Sequence, residues 1–290
     1  IITIDGGGRD YDDNGGMIIT TFTVWEGKDN KISKIDIIPD SQINIGVAWS
    51  DCTKNIFGLS SGYPKGNQAG TVMAMACMGD STKYFDVFYH SGLKGGQGID
   101  FPLLEQLANQ SEQNKFDIAA GLQKATEVIV KERLDKYIER YPYENICLSG
   151  GVALNSVMVG KMFDWYPHLK SIYVDPVPYD AGLALGSARY VWHNILDNPR
   201  IKWEDNSSPY LGKTYNRQEI NESLDKFDCL KVENVGDDRV IDILSNGDGN
   251  VISVYGGGSE SGRRALGNRS ILADPRNKKM KDIINEKVKH

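Results

Sequence analysis

From Lys115 to Ile195 the chain alternates helical and extended signals, and that alternation limits what it can fold into. Ile118, Leu122, Ala125, Ile129 and Val130, continued by Leu134 and Ile138, recur at helical spacing and predict one long helix over Lys115–Arg140. Asn114 is its candidate cap, with Asp117 three residues on. Asn145–Leu148 then reads as a strand, Ser149–Gly151 as a turn and Val152–Phe163 as a helix. Ser171–Val174 reads as a strand and Asp180–Ile195 as a helix. Strand–turn–helix units of this kind imply parallel strands, so the fold class is α/β.

Ahead of this layer, Ile1–Asp5, Met17–Trp25 and Lys31–Pro39 are rich in Ile, Thr and Val and predict three adjacent strands. Gly6–Gly8 is expected to turn the chain after the first, and Gly27–Asn30 to join the other two as a hairpin. Ile45–Phe57 and Gly70–Met78 predict short helices. Asn198–Tyr215 is polar, with Pro199, Ser207, Ser208, Pro209 and Gly212, and reads as a linker whose boundary falls near Pro209. Beyond it the pattern predicts a helix over Gln218–Phe227, a strand over Leu230–Val235, a helix over Asp238–Asn246 and a strand over Val251–Tyr255. A glycine loop and a basic helix over Asn277–Lys289 close the chain.

A length of 290 residues fits one large or two moderate domains. Lys and Arg number 33 against 39 Asp and Glu, a net charge of −6, which argues against a nucleic-acid coat protein. The longest uncharged run, Asn145–Gly160, is too short and too polar for a membrane span. Cys52, Cys77, Cys147 and Cys229 are scattered without a CxxC pair, which argues against zinc and disulfides and fits a cytoplasmic setting. His90, His168, His193 and His290 show no metal spacing. The chain opens inside a strand and stops inside a helical run, so a piece of a longer protein is expected.

The 31 glycines cluster at Gly6–Gly8, Gly92–Gly98, Gly150–Gly151 and Gly256–Gly258. Clustered glycine allows a ligand close to the backbone. In IITIDGGGRD (1–10), Asp5 at a strand end suits either a metal or hydrated phosphate, or a plain turn. In LSGGVALN (148–155), Gly150 and Gly151 lie between a strand and a helix, where free N–H groups could hold an anion and Asn155 could reach a ribose or base. A tight turn explains the same glycines. In DPVPYDAGLALGSA (175–188), Asp180 is either a helix cap or a metal ligand that needs a partner such as Asp5. Mg²⁺ suits such a pair of carboxylates. In GGGSESGRRALGNRSILADPR (256–276), Arg263, Arg264, Arg269 and Arg276 offer planar forks for phosphate or carboxylate, in a pocket rather than a solvated loop.

Taken in order, these motifs resemble the NodU/CmcH-type O-carbamoyltransferases. The likeness runs through IDGGGR (4–9), QAGTVMAMACMG (68–79), FDIAAGLQKATE (116–127), LSGGVALN, PVPYDAGLALGSA (176–188), SPYLGKTY (208–215), RRALGNRSILADPR (263–276) and NEKVKH (285–290). RALGNRSILADPR is the most specific of these strings. The resemblance implies an actin-like ATPase (ribonuclease H-like) domain over 1–208 and a partial YrdC-like α/β domain over 209–290. It also implies that carbamoyl phosphate and ATP give carbamoyl-adenylate and pyrophosphate. The carbamoyl group then passes to a hydroxyl of a small-molecule acceptor.

By the same resemblance Asp5 and Asp180 are metal ligands and, with Arg264, catalytic. Iron (Fe²⁺) is the usual metal, and two histidines of an HxxxH motif, outside these residues, complete its ligands. Gly150, Gly151 and Asn155 match the nucleotide loop, and Arg264 and Lys289 match contacts to phosphate and carbamoyl phosphate. Asn268, Arg269 and Ser270 belong to that motif. A family segment like REPFRPFAP is also absent, so the 290 residues alone are not expected to turn over. Arg9, Thr71, Tyr179, Gly258, Ser261 and Arg263 depart from the family pattern. An ATP-dependent sugar kinase would use the first three motifs and leave the arginines idle. A non-catalytic nucleotide-binding relative would accommodate the departures.

Overall fold

The computed structural model describes residues 1–11, 14–59, 68–200 and 209–289. It divides into two compact units, Ile1–Arg200 and Ile201–His290. The Ser207–Ser208 part of the expected linker lies outside the described residues.

The first unit is an α/β layer on a mixed five-stranded sheet. Strands β1 (Ile2–Tyr11), β2 (Met17–Lys28) and β3 (Lys31–Pro39) pair antiparallel, and β4 (Asn145–Ser149) and β5 (Ser171–Val174) continue parallel to β1. The order is β3-β2-β1-β4-β5. Asp29 and Asn30 form the two-residue hairpin between β2 and β3, with Asp29 at φ 51°. Helices α1 (Ile45–Asn55), α2 (Ala69–Ala76), α3 (Phe85–Ser91), α4 (Phe101–Ala108) and α5 (Glu112–Arg140) follow the three antiparallel strands.

The core forms where α5 meets the sheet. Ile118, Leu122, Ala125, Ile129, Val130 and Leu134 are buried on the helix, and Ile2, Ile4, Phe22, Val24, Ile38, Ile146 and Leu148 on the strands. Burying such side chains stabilises by about 1.5–3 kcal/mol each. After β4 come a 3₁₀ turn at Gly151–Leu154, α6 (Ser156–Gly160) and α7 (Met162–Trp165). After β5 a 3₁₀ turn at Asp180–Gly182 leads into α8 (Leu183–Tyr190), which ends in a π turn at Val191–Ile195.

Three local expectations change. The strand does not stop at Gly6: β1 runs on to Tyr11, with an irregularity between Ile4 and Gly8 in its pairing with β2. Here α1 backs onto the strand so closely that a Cβ on Gly46 would lie 2.4 Å from the Gly6 nitrogen. The cap of α5 is Ser111, which accepts the Asn114 N–H at 3.1 Å, while the Asn114 amide reaches back to the Leu107 carbonyl. The single helix expected over Val152–Phe163 is broken at Asn155, whose backbone N–H closes one turn on the Val152 carbonyl and whose side chain caps the next.

In the second unit, α9 (Arg217–Leu224) opens on a capping box made by Asn216 and Glu219, and α10 (Asp237–Ser245) follows. Strands β6 (Val251–Tyr255) and β7 (Arg269–Ala273) pair antiparallel, and α11 (Met280–Ile284) leads into a π turn at Asn285–Lys289. No strand forms over 230–235, where Leu230, Val232 and Val235 are exposed. Extended residues need a partner to satisfy their backbone, and none lies alongside among the described strands. The second strand, β7, falls inside the arginine motif instead.

Candidate functional site

Strand β1 pairs with β4 in parallel, Ile2 opposite Leu148 and Thr3 opposite Ser149, so the carboxyl end of β4 lies beside the first residues of the longer β1. From this junction the strand order runs outward through β2 and β3 on one side and β5 on the other. The crevice outside such a junction is where open α/β sheets receive ligands. Asp5 lies within β1 there, where the pairing with β2 loses register, and Gly150 and Gly151 follow β4.

The structure brings these three residues together. Asp5 Oδ1 accepts the Gly6 N–H at 2.7 Å and Oδ2 accepts the Gly151 N–H at 3.1 Å. Gly150 stands at φ +86°, and a Cβ there would lie 2.2 Å from the Ile4 carbonyl oxygen, so only glycine fits. Its N–H donates to the Pro178 carbonyl at 2.6 Å. The free N–H groups expected at this corner are therefore engaged, one by Asp5 and one by Pro178. The corner joins main-chain segments, as the tight-turn reading of these glycines expects, and these two N–H groups meet the chain's own acceptors.

Asn155 lies beneath the corner, 8% exposed. Its Oδ1 accepts the Met158 N–H at 3.0 Å, capping α6, and its amide donates to Gln123 Oε1 at 2.8 Å. Gln123 donates to Glu127 Oε1 at 2.9 Å, and Lys161 pairs with the other oxygen of that carboxylate. Asn155 thus faces into the protein and holds α5 to the loop, rather than reaching toward a ribose or base. Gln123 and Glu127 were not anticipated. Their signal was a polar pair four residues apart on the face of α5 that carries the core.

Asp180 is exposed at the start of its 3₁₀ turn, and Tyr179, not Asp180, takes the capping position. No group of three or more His, Cys, Asp or Glu side chains is placed to hold a metal ion among the described residues. Asp5 and Asp180 offer two hard oxygen donors, and the further ligands that the resemblance implies lie outside these residues.

The arginine motif connects β6 to β7. Tyr255 ends β6, and the Arg269 guanidinium lies 3.7 Å from the centre of its ring. Arg269 also donates to the carbonyls of Gly256 at 2.6 Å and Asn268 at 2.8 Å. Asn268 donates to the Gly258 carbonyl at 2.8 Å, and Ser270 Oγ accepts the Gly267 N–H at 2.9 Å. These three residues build the loop. Arg276 is spent on a forked pair with Asp274. Arg264 is exposed near the loop apex. The Lys289 side chain lies outside the described residues.

Glu260 is the member of this loop that the sequence reading missed. Its Oε1 accepts the N–H groups of Leu266 at 2.8 Å, Asn268 at 3.0 Å and Arg269 at 3.1 Å. These donors, Leu266 foremost, hold its carboxyl down at about 2. Opposite, Gly212 donates to the Ser259 carbonyl and Tyr210 to the Leu266 carbonyl. A Cβ on Gly258 would lie 2.7 Å from the carbonyl oxygens of both Tyr210 and Gly212, which accounts for glycine at that departure.

An open cleft of about 590 Å³, lined by Asp135, Glu139, Glu144, Tyr166 and His168 among others, lies at the other end of β4 from Gly150.

The carbamoyltransferase N-terminus model matches residues 99–189, and the carbamoyltransferase C-terminus model matches residues 244–290. The chain belongs to the carbamoyltransferase family. The N-terminus match takes in α5, the glycine corner and Asp180; the C-terminus match takes in the whole arginine loop.

Among relatives, nodulation protein NolNO of Sinorhizobium fredii is 31% identical over 307 residues, covering 100% of this chain and 42% of NolNO. The 3'-hydroxymethylcephem-O-carbamoyltransferase of Streptomyces clavuligerus is 27% identical over 253 residues, covering 79% of this chain and 45% of that protein. The chain spans less than half the length of the first curated relatives it matches. A solved structure, the activator of the 2-hydroxyisocaproyl-CoA dehydratase from Clostridium difficile with bound ADPNP, covers 70% of this chain and 64% of its own at 18% identity and TM-score 0.35.

Proposed function

We propose that this chain works in ATP-dependent O-carbamoyl transfer, with an actin-like first unit and a YrdC-like second unit divided near Pro209. The second unit would take carbamoyl phosphate and ATP. One water is consumed, the carbamoyl–phosphate linkage breaks, and a carbamoyl–AMP linkage forms with release of phosphate and pyrophosphate. An acceptor hydroxyl then attacks the carbamoyl carbon, AMP leaves, and the hydroxyl proton passes to solvent. AMP serves as the leaving group, and Arg264 meets the phosphate charge that develops. The acceptor is a small hydroxylated metabolite, and the setting is cytoplasmic; no helix among the described residues is long and apolar enough to cross a membrane.

The observation that carries this reading is the pair of family matches, one on each unit, each on a loop that the fold pins tightly. The β1–β4 junction supports nucleotide approach at the first, and exposed Arg264 supports donor binding at the second. A pyrophosphate-release assay on the full-length protein tests it. Release that needs both ATP and carbamoyl phosphate is expected. ATP consumption with a sugar alone would replace transfer by a kinase reaction, and nucleotide binding with no release would leave a non-catalytic relative.

A further inference from the structure

We infer that Glu260 is a positioning residue for Arg264: its carboxylate, turned inward onto three backbone N–H groups, fixes the loop that presents this guanidinium to an anionic donor. This rests on the second unit being the carbamoyl-phosphate site. A carboxylate four residues from an arginine that must bind phosphate is a liability if it faces the ligand, because like charges repel. Here Oε1 accepts from Leu266, Asn268 and Arg269, so the charge is met by main-chain donors. Those donors lie on the far side of the loop from Glu260, so one oxygen closes residues 261–265 into a fixed bend. Arg264 lies two residues from the pinned Leu266. Arg269 and Arg276 are spent on backbone carbonyls and on Asp274, whereas Arg264 is exposed.

The test is calorimetric titration of carbamoyl phosphate into the full-length protein, with hydrogen exchange read at Leu266, Asn268 and Arg269. Arg264→Ala should abolish binding. Glu260→Ala should weaken it about tenfold, since the orphaned N–H groups release the bend. Glu260→Gln keeps an acceptor oxygen and should stay within about threefold of the wild type. Faster exchange at the three amides in Glu260→Ala must accompany the loss. Unchanged binding despite faster exchange would make Glu260 merely structural and overturn the inference. Tighter binding by Glu260→Ala would overturn it too, marking the carboxylate as a repulsive charge. A wild type that fails to bind, or an Arg264→Ala variant that binds normally, would instead bring down the donor-site reading and this inference with it.

Discussion

Around Gly150 the chain is held by a packed sheet; around Arg264 it is held by its own polar groups. The first corner sits between β1 and β4, whose Ile2, Ile4, Ile146 and Leu148 are all buried. In the second unit Met280 is the one buried apolar side chain among the described residues, while Phe227, Val232, Ile241 and Tyr255 are exposed. The loop there keeps its shape through Glu260, Arg269, Asn268, Ser270 and Tyr210. A hydrogen bond nets about 1 kcal/mol and each can be broken singly, whereas a core yields only as a whole. The two regions should therefore respond differently to the same kind of damage.

The largest contrast is expected from glycine. Gly150→Ala combines positive φ with a Cβ driven into the Ile4 carbonyl and should cost about 3 kcal/mol in denaturant unfolding. Gly258→Ala sets a Cβ against the main chain of residues 210–212, none of them buried, without the positive φ of Gly150, and should cost less, about 2 kcal/mol. Equal losses would break the comparison.

Asn155→Ala removes a cap and leaves the buried Gln123 Oε1 without its donor, and should cost about 2 kcal/mol by the same measurement. Arg269→Ala should cost about 1 kcal/mol and speed local hydrogen exchange in the loop, through lost carbonyl contacts and the lost Tyr255 stack. Arg264→Ala should leave stability within about 0.5 kcal/mol.

The smallest effect is a matter of pH. Glu260 titrates at about 2 against an ordinary 4.5. A lowered carboxyl stabilises the fold above its ordinary value, and that share is lost as pH falls toward about 2. The amide resonances of Leu266, Asn268 and Arg269 should follow this low titration; a midpoint near 4.5 would contradict the anchoring. In the first unit Asp117 behaves likewise in sign. Burial pushes its carboxyl up, but the Asp80 N–H, the Lys83 ammonium and the Gln113 amide outweigh that and hold it low. Its loss in acid should be read in the cooperative unfolding of the whole first unit.

The first unit was largely legible because its strands and α5 bury one face, and burial imposes a period. The same logic placed the glycine corner correctly as a joint between β4 and a turn. It could not say that Gly151 would bond Asp5, since that contact spans 146 residues and depends on the β1–β4 pairing. The cap of α5 was misplaced by three residues because Ser111 and Asn114 are both able caps, and the Leu107 carbonyl decides between them. The second unit has weak periodicity to read. Leu230–Val235 has strand composition without a partner, and Arg269–Ala273 forms a strand inside what looked like pure chemistry. Glu260 was overlooked because its neighbours drew attention to positive charge, whereas its role is set by which N–H groups the β6–β7 hairpin turns toward it.

The junction at β1 is a meeting of bare backbones: Gly46 against Gly6, and Gly150 against the Ile4 carbonyl. A frame assembled from main chain does not depend on the identity of the side chains around its rim. A position such as Tyr179, next to the Pro178 carbonyl that Gly150 engages, can then be exchanged without moving the joint, so a lineage could retune what enters the crevice one residue at a time while inheriting the same scaffold.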